Sequence, residues 1–366
     1  MVDWPSFLQP LQIFIANHAI GSLAMTYVFG MLGVCIVGFW FLRKYPIKRP
    51  SLSVCKNYTT FAIPITISSI VSTITVNIDK IMIGFFWTST EVGYYFTVQR
   101  VLAFISILST AVGTVLFPTI SSFHAKKNLD KIKEKTRLAE RYISMVMIPP
   151  IIVTIIFVNP IINIVLSEVY LPAAPVLTIL VFWPFIRGLS IPYSLIIQGM
   201  NKPIITASYS IISCLTNIIL NYLLIPSNGL LSNINIGGYT ISINGPSGAA
   251  LSTVLSVFVI FFGFRIWAKK LTGIKLIQTH TIRHIIAGAI MGVILYILAY
   301  QTPIFTHIHW YYLFLLAFVG LGIYIVILYL LKEFKKDDLS FFLDIINPKN
   351  TITYFSNELR NKRRKK

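Results

Sequence analysis

The sequence NIDKIMIGFFWTSTEVGYYFTVQR, residues 77–100, decides the fold class and contains the first candidates for a functional site. It places Asp79, Lys80 and Arg100 among residues that are otherwise suited to lipid. An ionisable side chain in a membrane segment costs about 2.5–3.5 kcal/mol and usually faces a bundle interior or a water-filled path. We therefore expect these charges to serve either helix pairing or substrate contact.

The composition of the whole chain indicates a membrane protein. Of 366 residues, 55% are hydrophobic and 12% are charged, which is too apolar for a water-soluble domain of this length. Apolar runs of about 20 residues predict nine transmembrane helices in an all-α polytopic bundle. The expected ranges are 20–43, 58–86, 91–120, 142–166, 172–198, 203–226, 246–268, 283–301 and 310–331. Only the polar loop 227–245 departs from helix, with a small external hairpin.

The net charge of +19 is distributed along the chain in a way that predicts topology. Lys and Arg concentrate in alternate loops and in the C-terminal tail, whereas the other loops and residues 1–20 have none. By the positive-inside rule the N-terminus lies outside and the C-terminus in the cytoplasm of a plasma-membrane protein. This distribution argues against nucleic acid as a partner. The charged loop before residue 142 predicts a short helix at headgroup level, either a simple topology signal or a contact for anionic lipid.

Neither catalysis nor a metal site is expected. The acidic residues are too few and too scattered to form paired acids or a nucleophile–base pair. His280 and His284 share a helix face, but two ligands without a third are weak evidence for a metal. We therefore predict a protein that is not an enzyme and has no catalytic residues.

Polar residues in the predicted helix 58–86 fall on two nearly opposite faces. We expect one stripe to pack against other helices and the other to line a cavity, and the sequence leaves both assignments open. A rise of about 1.5 Å per residue places Asp79 and Lys80 near the outer interface, where charge is less costly. The first stripe contains Thr66, Ser69, Thr73 and Asn77, and the second contains Ser68, Ser72, Thr75 and Asp79.

Two arginines are expected deeper in the membrane. Arg100 falls roughly 13 Å into its helix, and Arg187 lies between Pro184 and Pro192. Because guanidinium binds phosphate in a bidentate manner, both are candidates for a substrate diphosphate. The alternative is that each pairs with an acid or a helix-end carbonyl, for example Arg100 with Asp79.

A second candidate set is a cation site or polar cavity. Asn217 and Asn221 share one face of the helix 203–226, and amide and hydroxyl oxygens are suitable ligands for a hard cation. The alternative is hydrogen bonding between helices. The full candidate set is Asn77, Asp79, Asn217, Asn221 and Thr253.

Several motifs in order resemble the polysaccharide-biosynthesis flippases of the O-antigen-unit translocase type. These belong to the multidrug/oligosaccharidyl-lipid/polysaccharide exporter superfamily. The motifs are NIDKIMIG (77–84), EVGYY (91–95), LFPTIS (116–121), EVYLPAAPVLTIL (168–180), QGMNKP (198–203) and NIILNYLLIP (217–226).

This resemblance implies two six-helix lobes around a central cavity, two trailing helices, and alternating access. The implied substrate is an oligosaccharide linked by diphosphate to a polyprenyl lipid, moved from the cytoplasmic to the outer leaflet, with Arg100 at a matching position. No cofactor is implied other than Na⁺ or H⁺ as a coupling ion. The alternatives are a multidrug-type cation-coupled antiporter, or a non-transporting scaffold or assembly subunit of a glycan-export complex.

The nine predicted helices resemble the sixth helix of the family onward, so we expect a truncated or misassigned reading frame, or an N-terminal half supplied by another chain. Ser167 stands where the family commonly has glycine.

Four domains are expected. Residues 1–56 contain an external segment, the last helix of the first lobe and a basic loop, and residues 57–270 form the second lobe. Residues 271–332 form two trailing helices, and residues 333–366 form a basic cytoplasmic tail.

Overall fold

The computed structural model describes residues 19–43, 51–232, 234–236, 239–241, 243–301 and 310–334. The chain divides into two compact units, residues 1–59 and 60–366. The first unit contains the apolar helix α1, Ala19–Leu42. The expected external segment before α1 and nearly all of the basic tail lie outside the described residues.

Helices build almost all of the second unit. Helix α2 begins in the first unit and continues into the second. The elements are α2 (Leu52–Phe86), α3 (Ser89–Ala125), α4 (Leu129–Ile156), α5 (Val158–Val165), a 3₁₀ segment (Glu168–Ala173), α6 (Ala174–Leu180), α7 (Phe182–Gly199), α8 (Pro203–Leu224), β1 (Ile234–Ile236), β2 (Tyr239–Ile241), α9 (Gly245–Thr272), α10 (Thr279–Tyr296), a π-helical turn (Ile297–Gln301) and α11 (Trp310–Leu330). Strands β1 and β2 pair antiparallel, which confirms the predicted hairpin.

The helices confirm the predicted membrane architecture. Among the described residues, eight helical segments are long and apolar enough to cross a membrane. The count is nine if α3 is one broken span, since its two halves, Ser89–Ile107 and Ser109–Ala125, differ in direction by 45°. The protein is therefore an all-α polytopic membrane protein.

Helix α4 differs from the prediction at both ends. The charged segment before residue 142 is helical, as expected, but it continues directly into the apolar half, so the prediction of a short helix is wrong. The Asn128 side chain accepts a hydrogen bond from the Lys131 amide at 3.1 Å and caps the helix start. The helix ends at Ile156, and the Pro160 ring has no N–H with which to bond the Ile156 carbonyl.

Close packing in the second unit depends on small residues where α8 meets α9. A Cβ on Gly248 would lie 2.2 Å from the carbonyl oxygen of Leu224, so α8 and α9 can meet here only at glycine. One core cluster joins α2 to α7 with α9. A further cluster packs α10 and α11 against α4. These contacts bring polar residues from several helices together.

Ser167 occupies a backbone conformation that favours glycine, with φ 125° and ψ 167°. This region costs a residue with a Cβ about 1–3 kcal/mol. We expect Ser167→Gly to raise the free energy of unfolding by about 1–2 kcal/mol, because relief of strain exceeds the added entropy of an unfolded glycine. Thermal unfolding of the purified protein would measure this. Ser167→Ala keeps the Cβ and should give no gain; an equal gain in both variants would contradict the strain explanation.

Candidate functional site

A cluster of buried polar side chains surrounds Asp79. Four helices contribute to it: α2 provides Asp79, α3 provides Tyr95, α8 provides Asn217 and Asn221, and α9 provides Thr253. Apart from Thr253, which is 6% exposed, these residues are completely buried. The structure therefore joins four of the five predicted cavity residues and adds Tyr95.

The Asp79 carboxylate accepts hydrogen bonds from three helices. Its Oδ2 accepts from the Tyr95 hydroxyl at 2.6 Å and from the Thr253 hydroxyl at 2.7 Å. Its Oδ1 accepts from the Asn221 amide at 2.7 Å. Since an unpaired buried carboxylate is very costly, these bonds make its burial tolerable. The expectation that charge is cheap at Asp79 is thus wrong, because protein encloses the side chain completely. Its position near the outer interface stays a prediction.

The two asparagines extend the cluster with further oxygen atoms. The Asn217 amide donates to the Thr253 hydroxyl, and the Asn221 amide donates to Asn217 Oδ1, both at 3.3 Å. Oδ1 of Asn221 is buried without a hydrogen-bond partner. The cluster therefore contains a carboxylate, two amide oxygens and a hydroxyl, and one of these oxygens, Asn221 Oδ1, accepts no hydrogen bond. Such a set fits a proton on Asp79 or a small hard cation.

Asn77 lies apart from this cluster. Its side chain is exposed and donates to the Thr73 carbonyl of its own helix at 2.8 Å. The whole first stripe, Thr66 to Asn77, is exposed, whereas Ser68, Ser72 and Thr75 are partly buried and Asp79 is buried. The stripe that ends at Asp79 therefore packs within the bundle.

Arg100 and Lys80 both lie near one aromatic ring. The Arg100 guanidinium lies 4.8 Å from the ring centre of Phe96, and the Lys80 ammonium lies 5.4 Å from it. Arg100 is exposed and forms no ion pair in the described part of the chain. The alternative pairing of Arg100 with Asp79 is wrong, since the carboxylate is occupied by Tyr95, Asn221 and Thr253.

Arg187 lines a separate cavity of about 100 Å³. Ser72 and Ser210 also line it, and neither hydroxyl has a hydrogen bond to the described residues. Ser190 and Ser194, also in the lining, donate to carbonyls of their own helix. No carboxylate lines the cavity. The guanidinium and two hydroxyls can therefore donate to an anion there, in a space wide enough for several waters.

A second buried network, centred on Arg265 and Glu140, did not emerge from the sequence. Arg265 Nη2 lies 2.7 Å from Glu140 Oε1, and both side chains are almost fully buried. Nη1 of Arg265 donates to the Leu189 carbonyl at 3.2 Å, and the Tyr193 hydroxyl donates to Glu140. The guanidinium also lies 3.8 Å from the ring centre of Phe261. Arg265 therefore does not belong to the loop after α9, because it is enclosed in the bundle two helical turns before α9 ends at Thr272.

Comparison with known proteins shows which proteins this chain resembles. A model described as "Polysaccharide biosynthesis protein" matches residues 10–175. The probable low-salt glycan biosynthesis flippase Agl15 of Haloferax volcanii is 27% identical over 63% of this chain and 46% of its own length. The probable flippase AglR of the same organism is 27% identical over 61% of this chain and 44% of its own. The chain therefore spans about half the length of these curated relatives.

The fold has a counterpart among solved structures. The lipid II flippase MurJ in an inward closed conformation matches with a TM-score of 0.58 and 16% identity, over 85% of this chain and 60% of that one. A match at this identity shows the fold alone. Together with the relatives and the motif order, it confirms the resemblance drawn from the sequence. In sequence the chain is therefore similar to polysaccharide biosynthesis proteins over residues 10–175, and to probable glycan flippases over about six-tenths of its length.

Proposed function

We propose that this chain takes part in flipping a lipid-diphosphate-linked oligosaccharide from the cytoplasmic to the outer leaflet by alternating access. The names of the glycan-flippase relatives support this. The single observation that carries the proposal is the Arg187 cavity, where a guanidinium and two serine hydroxyls have no carboxylate beside them. Arginine binds phosphoryl oxygens in a bidentate manner, so this cavity suits a diphosphate.

Arg100 is the second proposed diphosphate contact. It is exposed, and the same α2–α3 region presents the exposed polar stripe from Thr66 to Asn77. Placing hydroxyl and amide groups against pure hydrocarbon costs free energy, so we expect this face to contact a water-filled path or further protein. We propose that it meets a second lobe across the substrate cavity, contributed by further helices or by another chain.

The Asp79 cluster is the proposed coupling site. A monovalent cation such as Na⁺, or H⁺ on the carboxylate, would bind among Asp79, Asn217, Asn221 and Thr253. No catalytic group is invoked, because the carrier undergoes no bond cleavage. The basic loops support an orientation with the N-terminus outside and the C-terminus in the cytoplasm of the plasma membrane.

The proposal is tested in cells whose surface glycan depends on this chain. Arg187→Leu should reduce glycan export at least tenfold with normal membrane abundance, because a charge-assisted hydrogen bond contributes about 1.5–3 kcal/mol. Arg100→Ala should act in the same direction. Quantitative lectin labelling at the cell surface would measure export, and immunoblotting of membranes would measure abundance.

Lys202→Ala provides the control, since Lys202 is an exposed cation in the short turn between α7 and α8. It should leave export unchanged. Normal export by both arginine variants would show that Arg187 and Arg100 do not bind the diphosphate. Export of cationic drugs instead of glycan would favour the antiporter function.

A further inference from the structure

A charged cavity of about 480 Å³ lies where the first half of α4 meets the start of α10 and the turn after α11. Cavities of about 300–1,000 Å³ commonly accept small ligands. The lining includes four cations, Arg137, Arg141, Arg283 and Lys332. It is distinct from the Asp79 cluster and from the Arg187 cavity, since it shares no residue with either.

The two carboxylates in the lining already have cationic partners. Arg283 Nη1 lies 2.6 Å from Glu333 Oε1, and Arg141 Nε lies 3.7 Å from Glu333 Oε2. Glu134 pairs with Lys131 at 3.0 Å and Lys135 at 3.6 Å. The two acids therefore hold neighbouring cations in place without cancelling the positive charge of the cavity.

Arg137 and Lys332 are the two cations of the lining that are left to bind a ligand. Both are exposed, and neither forms an ion pair in the described part of the chain. His280 also lines the cavity, and its Nε2 is buried without a hydrogen-bond partner. Two exposed cations without an ion pair thus line the cavity, beside a histidine whose Nε2 makes no hydrogen bond.

The backbone at Lys332 is unusual for a lysine. Its φ of 57° is left-handed, and its amide bonds to the Tyr329 carbonyl to end α11. Glycine is the usual residue at this position of a helix end, and any Cβ there is strained. Strain retained at a ligand-facing residue points to a use for its side chain.

We propose that this cavity binds the phosphate group of an anionic phospholipid from the cytoplasmic leaflet. The positive-inside topology puts the α3–α4 turn, the start of α10 and the end of α11 on the cytoplasmic side. Basic pockets between transmembrane helices on that side bind anionic headgroups, and arginine matches phosphate geometry.

Apolar residues beside the cavity favour a lipid over free phosphate. Ile282 and Ile286 on α10 are each 48% exposed, and Leu330 at the end of α11 is 72% exposed. Ile286 follows Arg283 by one helical turn and so lies on a neighbouring part of the same face. An acyl chain can therefore lie along α10 while the phosphate remains at the arginines.

The test uses the purified full chain and native mass spectrometry with phosphatidylglycerol or phosphatidylcholine. We expect preferential binding of phosphatidylglycerol to the parent chain. Lys332→Gly and Arg137→Gln should each weaken it about fivefold, as one basic residue near a headgroup contributes. The double variant should weaken it further. Lys332→Gly also removes the backbone strain, so misfolding cannot explain its loss of binding.

Lys127→Gly is the matched control, because Lys127 is another left-handed lysine, with φ 53°, and does not line the cavity. It should bind phosphatidylglycerol like the parent. Equal binding of the two lipids, or an equal loss in the control, would overturn the proposal. Full displacement of bound phosphatidylglycerol by millimolar inorganic phosphate would assign the cavity to soluble phosphate and overturn the lipid assignment.

Discussion

Arg265→Met is expected to lower the free energy of unfolding by about 3–5 kcal/mol, because it leaves Glu140 buried without its countercharge. The two side chains are 2% and 1% exposed, and their charged atoms are 2.7 Å apart. Methionine preserves much of the apolar volume between Tyr193 and Phe261, so the loss comes mainly from the charge. Thermal unfolding of the detergent-purified protein, followed by size-exclusion chromatography, would measure the change.

The double variant Arg265→Met/Glu140→Gln separates charge from packing. Because it removes both charges, it should recover most of the lost stability. Arg187→Met is the control for loss of an arginine from a bundle helix that has no acidic partner in the described chain, and it should change stability little. A double variant no more stable than Arg265→Met would show that the guanidinium acts through packing.

Asp79→Asn is expected to abolish ion-dependent glycan export while preserving much of the fold. Asparagine has nearly the shape of aspartate but has no negative charge to hold a proton or a cation. Asp79→Leu should also destabilise the protein by several kcal/mol, since the groups of Tyr95, Asn221 and Thr253 that donate to Asp79 lose their buried acceptor, at about 1–3 kcal/mol each. Export measured against Na⁺ concentration and pH, beside thermal unfolding, would separate the two effects.

Ser208→Ala is the control, because Ser208 on α8 is exposed and bonds only to the Ile204 carbonyl of its own helix among the described residues. It should leave both the ion dependence and the unfolding temperature unchanged. The double variant Asn217→Ala/Asn221→Ala should alter the ion dependence of export. If it lowers only protein abundance, the asparagines hold helices together and the coupling role is lost.

Much of the fold could be predicted because the membrane restricts it. Apolar runs and the positive-inside pattern gave helices close to those observed, and the uncharged loop 227–245 gave the hairpin. The limits of α4 were less predictable, since the charged segment before residue 142 was expected to form a short helix of its own and is instead the first half of one 28-residue helix. The expected division at residues 57–270 and 271–332 stays a prediction.

The candidate site was predictable in part. Spacing places Asn217 and Asn221 on one face, but periodicity cannot say which face of a neighbouring helix they meet. Tyr95 was missed because an aromatic residue in a membrane helix resembles ordinary packing. Glu140 and Arg265 were missed because each lies near the end of an apolar run, where a charge usually marks the membrane boundary. Only their pairing across helices reveals that they are interior.

Helix α9 belongs to both buried polar networks. Thr253 joins it to Asp79, and Arg265 joins it to Glu140. These residues lie about 18 Å apart along the helix axis, at about 1.5 Å per residue. Helix α9 is therefore held by buried polar contacts at two levels along its axis. Binding or release of an ion or proton at Asp79 that displaces Thr253 would tilt α9 against the Glu140–Arg265 pair or break that pair. The pair would thus resist, or respond to, a movement of α9 that begins at Asp79.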